Sequence, residues 1–226
     1  LNYVDKLSTF TDNIHTLFGT SMHEVIQTFL TVMYNDTAKQ AEQLPLEDML
    51  LTRMKRNFEG VLKTNGGEMF CTEKDMVEFY GHGVEILKFI RKKRAQYFSK
   101  KGYELIGIEV PIDYDMPNNI KFIGYIDVVI KDTVRDVIKI YDIRTSTMGW
   151  NKYMKADKNK TDQLLLYKQF YSKQYNHPMD KIEVEYFIVK RKLYENLDFP
   201  QKRVQKFTPA NGKPSINQVI NRLDQF

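Results

Sequence analysis

The apolar positions first fall into register just after residue 20. His23, Ile26, Gln27 and Leu30 share one stripe at helical spacing, with Val25, Phe29 and Val32 beside it. The preceding Phe18-Gly19-Thr20-Ser21 reads as a turn that supplies N-cap residues, and residues 1–18 as a short helix or docking segment. Residues 40–63 form a second helical region, with Pro45 near its start. Thr64-Asn65-Gly66-Gly67 is a loop, and a third helix runs from Thr72-Glu73-Lys74-Asp75 to about residue 99. The period then changes to that of strands. Residues 103–112, 120–131 and 137–145 read as three strands, with a turn at 115–119. A polar connection at 146–158 holds the only tryptophan, Trp150, and 161–175 is an amphipathic helix. A fourth strand lies within 180–191, a fifth at 203–207, and a helix follows Pro214. The pattern predicts an α/β (mixed α+β) fold in one domain. A mainly helical part, 1–101, is folded onto a part, 102–226, that bears a small mixed sheet flanked by helices.

Two of the predicted strands each carry one aspartate. In Gly124-Tyr125-Ile126-Asp127 the acid follows a glycine by three, and Asp142 stands inside the apolar run before Arg144. A carboxylate buried in such a strand is costly unless a cation or hydrogen bonds compensate it. Two in adjacent strands therefore suggest a shared cation. Arg144 lies on the same face as Asp142, because strand side chains alternate. The bland alternatives are a structural Asp142–Arg144 ion pair, an Asp127 that caps a bend or pairs with a lysine, and a His23 that is only a satisfied core residue.

Composition narrows the partners. The 226 residues are 42% hydrophobic and 28% charged, which is ordinary for a globular protein with a full core. No apolar run reaches the roughly 18–20 residues of a membrane helix, and no secretory signal is legible at Leu1. The single cysteine, Cys71, rules out an internal disulfide and a four-cysteine zinc or iron–sulfur site within the chain. A net charge of +5 leans toward a polyanionic partner, and the 14 Tyr and 14 Phe beside it suit single-stranded nucleic acid. The basic cluster Arg91-Lys92-Lys93-Arg94, with Lys100 and Lys101 beyond it, serves either phosphate binding or the helix dipole.

Taken together, a helix with His23, a strand with GxxD, a strand with Dx(basic) and a helix with Gln163-Leu164-Leu165-Leu166-Tyr167 resemble the PD-(D/E)XK nuclease superfamily, in its RecB-like exonuclease branch. The matching residues include Gly19-Thr20-Ser21-Met22-His23 and Asp142-Ile143-Arg144-Thr145-Ser146, and the match covers most of residues 19–190. The chain is also similar to the small viral and mitochondrial single-strand exonucleases that lack an iron–sulfur cluster. The resemblance implies a restriction-endonuclease-like core and hydrolysis of DNA phosphodiesters, with single-stranded ends preferred. It implies Mg²⁺ or Mn²⁺ held by Asp127, Asp142, the main-chain carbonyl of Ile143 and His23, with the histidine favouring Mn²⁺. It further implies substrate or supporting roles for Gln163 and Tyr167, one helical turn apart. Glu109 matches a frequent acidic position, either structural or for a second metal. The implied setting is intracellular, in a bacterial or virus-infected cell and with mitochondria left open, among proteins of replication, repair or recombination, and away from membranes.

Where that family carries lysine, this chain has Arg144. A guanidinium stays protonated at working pH and cannot be a general base, and its planar fork needs more room than an ammonium. It can still orient water or neutralise phosphate, so weakened or silenced cleavage is expected rather than a changed reaction. Lys139 lies on the opposite strand face from Asp142, and Lys160 is the better candidate for a migrated lysine. Natural divergence and deliberate silencing would leave the same residue. The alternative functions are a non-catalytic nucleic-acid-binding or docking module on the nuclease fold, and an endonuclease or RNA-directed enzyme.

Overall fold

The structure, a computed structural model, describes residues 13–116, 121–195 and 198–223. The element expected within residues 1–18 therefore lies, up to residue 12, outside the described residues, as does the 117–120 part of the expected turn.

Helix α1, Ile14–Asn35, begins eight residues before the predicted start at Met22. Asn13 is its N-cap: its side chain accepts the amides of His15 and Thr16, while the Thr16 hydroxyl accepts the Asn13 amide. This reciprocal cap satisfies donors that a helix start leaves free. Gly19, Thr20 and Ser21 are consequently not a turn but part of the helix. The Ser21 hydroxyl bonds back to the Leu17 carbonyl at 2.8 Å. Gly19 lets α1 approach the sheet, since a Cβ there would lie 3.0 Å from Thr145 Oγ1.

Pro45 divides the second helical region into α2, Ala38–Glu42, and α3, Leu46–Thr64. Proline lacks the amide that a helix interior needs. Helix α4, Glu73–Lys92, has a Thr72/Asp75 capping box and is followed by the short α5, Arg94–Tyr97. Its basic end is largely used in packing: Arg91 donates to the Leu44 carbonyl, Arg94 to Glu42, and Lys100 to the Asp36 carbonyl.

Five strands form one sheet in the order β1-β2-β3-β4-β5: β1 Tyr103–Asp115, β2 Lys121–Asp132, β3 Val137–Ser146, β4 Ile182–Lys190 and β5 Val204–Phe207. Among the described residues, only the β3–β4 pair is parallel. Its crossover runs through α6, Lys152–Ala156, inside the stretch read as a polar connection, and α7, Lys158–Gln174. Helix α8, Lys213–Leu223, packs on α7 through Ile216 and Val219.

Helices cover both faces of this mixed sheet, as expected. One core cluster joins α1, α3 and α4 to Val128, Ile130, Tyr141, Ile143 and Phe187. The other joins α7 to Ile126, Val129, Ile138, Ile140 and Tyr186. No helix of the described residues is long and apolar enough to cross a membrane.

Candidate metal and catalytic site

The β1–β2 hairpin changes face halfway along. Ile108 and Val128 pack with α1, whereas Val110 and Ile126, each two residues away along its strand, pack with α7. Strict alternation would keep such pairs on one side. The residues at the switch are Glu109 and Asp127, flanked by the pairs Ile108↔Val128 and Val110↔Ile126. Glu109 absorbs the change with φ of 50°. A non-glycine residue in this region costs on the order of 1–3 kcal/mol. The strained residue is thus an acid, and it stands across from the aspartate of the GxxD motif.

A second irregularity adjoins it. The β2–β3 ladder stops at Val128↔Tyr141, so β3 parts from β2 from Asp142 onward. Across the opening, Asp127 Oδ2 accepts the Ile143 amide at 2.6 Å. His23 reaches the same place from α1, with Nε2 3.4 Å from Glu109 Oε1 and 3.5 Å from Asp127 Oδ1. One ligand atom from each of His23, Glu109 and Asp127 lies within 4.8 Å of the others, which makes them a group able to hold a metal ion.

Gln27, one helical turn after His23, ties the cluster together. Its amide nitrogen lies 2.7 Å from His23 Nε2 and donates to Glu109 Oε1 at 2.5 Å and the Asp127 carbonyl at 3.2 Å. Sequence reasoning put Gln27 on the His23 stripe but gave it no role. The available signal was its i+4 spacing on an otherwise apolar face.

Asp142 lies beside this group and is held by Arg144. Arg144 Nη2 donates to Asp142 Oδ2 at 3.0 Å, and Nε approaches Oδ1 to 2.5 Å as an ion pair without hydrogen-bond alignment. Nη2 also bonds the side-chain oxygen of Gln163, whose amide donates to the Tyr167 hydroxyl at 2.8 Å. The Tyr167 ring covers Gly124, where a Cβ would come within 2.8 Å of it. The glycine of GxxD therefore makes room for the tyrosine of QxxxY. The structure brings Asp142, Arg144, Gln163 and Tyr167 into one chain of contacts, and His23, Glu109 and Asp127 into another. Ile143 links the two through its amide. Lys160 is exposed, with its carbonyl held by the Tyr186 hydroxyl. Lys139 is turned away and pairs with Glu183.

The electrostatics follow from burial. Burial, then the Asp142 charge, pushes the Asp127 carboxyl well above the ordinary range, against the Ile143 amide. Burial raises Asp142 as well, with Arg144 opposing. Burial pushes His23 down, against the nearby acids, which favours the neutral imidazole. For Arg144, burial acts to lower the value, but the Asp142 charge and hydrogen bond outweigh it.

Because the folded chain holds the Asp127 proton more tightly than the unfolded one, stability falls as pH rises from about 4, the ordinary carboxylate value, through the raised folded value. His23 acts in the opposite direction, and stability rises with pH between its lowered value and 6.5. We expect Asp127→Asn to melt higher than the parent at about pH 7 in chelator, and the gap to close toward about pH 4. Melting curves across that range check this.

The donor set fits a divalent cation. One imidazole nitrogen and carboxylate oxygens, with no thiolate, form a nitrogen- and oxygen-donor set. The raised carboxyls are those whose charge a cation would compensate. A bound cation supplies charge that polarises a phosphodiester and stabilises its transition state.

None of the curated proteins compared matches the chain. The family model of the PD-(D/E)XK nuclease superfamily, whose members are metal-dependent nucleases, matches residues 1–224. That span contains the two β-strand aspartates, the basic residue two positions after the second, and the sheet that carries them, and the chain belongs to the PD-(D/E)XK nuclease superfamily.

Proposed function

We propose that this nuclease is of the RecB-like type and acts as an exonuclease on single-stranded DNA ends, with cleavage weakened by Arg144. The observation that carries the reading is the convergence of a helical histidine, His23, on Asp127 at the point where β2 and β3 separate. In this reading His23, Asp127 and Asp142, with the Ile143 carbonyl, hold Mn²⁺ or Mg²⁺, and Glu109 joins them. The histidine favours Mn²⁺. Gln27 orients His23 and Glu109. Gln163 and Tyr167 position Arg144, which faces the substrate phosphate and orients water without abstracting its proton.

A single strand suits the surroundings. Tyr125, 56% exposed on β2 just before Asp127, offers a ring on which a base stacks, with the exposed Ile123 two residues before it adding apolar surface. A cavity of about 400 Å³ lined by Glu24, Gln27, Arg53 and Arg56 opens beside the cluster, with both arginines paired to Glu24. The helical and sheet-bearing parts act as one domain, since residues of both build the first core cluster. We place the enzyme inside the cell, in replication, repair or recombination.

Linear and circular single-stranded DNA with Mn²⁺ test the reading. Linear strands should shorten from an end while circles stay intact, and nicked circles would make the enzyme an endonuclease. The Arg144 contacts favour a second reading. By closing on Asp142 and Gln163, the guanidinium fills the place of a catalytic ammonium, which suits a non-catalytic nucleic-acid-binding or docking module.

A further inference from the structure

Beyond β3 lies a recess that the metal cluster does not use. Its volume is about 170 Å³, and it is lined by His15, Phe18, Thr145, Ser146, Thr147 and Arg191, with no carboxylate among them. Arg191 follows β4 and is anchored firmly. Its amide donates to the Ser146 carbonyl at 2.8 Å, and the Lys192 amide to the Thr147 carbonyl at 2.7 Å. The Arg191 side chain is 8% exposed and its guanidinium lies 4.0 Å over the Phe79 ring.

Nη1 of Arg191 is occupied by Glu78 and His82, each at 3.1 Å. Nε is buried without a partner. Among the described residues Nη2 also makes no hydrogen bond to the protein, nor do the hydroxyls of Thr145 and Thr147. Glu78 compensates the Arg191 charge from one side, but the recess itself is lined by hydroxyl and guanidinium donors with no carboxylate among them, which suits an acceptor-rich anion. Thr145 follows Arg144, so its side chain faces α1 on the other side of β3, and such an anion would sit at the end of the strand across the sheet from Arg144.

We propose that this recess is a phosphate subsite that holds a backbone phosphodiester of the nucleic-acid strand, away from the scissile bond. Arg191 supplies the charge, and Thr145 and Thr147 supply hydroxyl donors. The inference rests on the reading of the chain as acting on nucleic acid, and its test separates the two.

Binding of a 5′-hydroxyl single-stranded DNA oligonucleotide, followed by anisotropy in chelator, reads the subsite without cleavage. Thr147→Glu puts a carboxylate at the exposed rim, and Thr133→Glu adds the same charge at the far end of the sheet. Thr147→Glu should weaken binding about tenfold or more relative to Thr133→Glu, as expected for loss of a charge-assisted contact. Arg191→Gln should lower the slope of log affinity against log salt by about 0.7, one phosphate contact on a single strand. Arg191 is packed in the fold, so its variant counts only with a parent-like melting curve, and Thr147→Glu carries the test otherwise. Equal binding by the Thr147 and Thr133 variants overturns the subsite, whatever the cleavage assays give. A wild-type chain that binds but never cleaves overturns the exonuclease reading and leaves the subsite standing.

Discussion

Asp127→Ala should abolish metal-dependent cleavage, with a loss of about 10³-fold or more, the scale of several kcal/mol of metal-borne charge stabilisation. Asp127 contacts His23, Gln27 and Ile143 at once. One carboxylate oxygen faces His23, the other accepts the Ile143 amide, and the backbone carbonyl takes Gln27. Alanine removes a ligand and also strips the Ile143 amide of its acceptor, at a cost of about 1–3 kcal/mol. Asp127→Asn separates the two effects. It keeps an acceptor for Ile143 but loses the negative charge, so it should be as inactive as alanine and better folded. Asp142→Ala should be equally inactive. Steady-state cleavage with Mn²⁺, read beside melting curves, checks the set, and retained cleavage in both alanine variants would remove the proposed site.

Arg144→Lys should raise metal-dependent cleavage by about 10²-fold or more, within the range that a positioned acid–base group contributes. The reason is geometric as well as chemical. Arginine holds both Asp142 oxygens with its fork and reaches Gln163 at the same time. A lysine makes a single point contact, frees one carboxylate oxygen for a cation, and can lose its proton. Asp142 is only 3% exposed, so lysine must keep a charge beside it, and the variant is read with a melting curve. The readout is kcat for parent and variant at equal metal concentration. No gain, with binding of the strand preserved, would favour the binding-module reading.

Much of the site was legible because it depends on residue type within periodic segments. Acids in apolar strands stand out, and so does a histidine on an apolar stripe. The order helix, three strands, helix, strand put them on the right elements. Three features were hidden for physical reasons. The start of α1 was misplaced because Gly19, Thr20 and Ser21 look like a cap, while the true cap is a side-chain exchange between Asn13 and Thr16. Glu109 could be matched to an acidic position but not placed, since its φ of 50° and the face switch of the hairpin arise from packing against two different helix layers. The contest for Asp142 was foreseeable from Asp-x-Arg spacing. What spacing could not give is Gln163 as a second acceptor that fixes the guanidinium in place.

One cation held between α1 and the parting strands β2 and β3 is what joins these residues into a site. Anomalous diffraction from crystals soaked in Mn²⁺ tests it most directly. We expect one peak bounded by His23 Nε2 and the carboxylates of Asp127, Asp142 and Glu109, with Asp142 turned further toward it in Arg144→Lys. A well-ordered site with no peak there, or a peak held by other residues while Asp142 stays on residue 144, would contradict it.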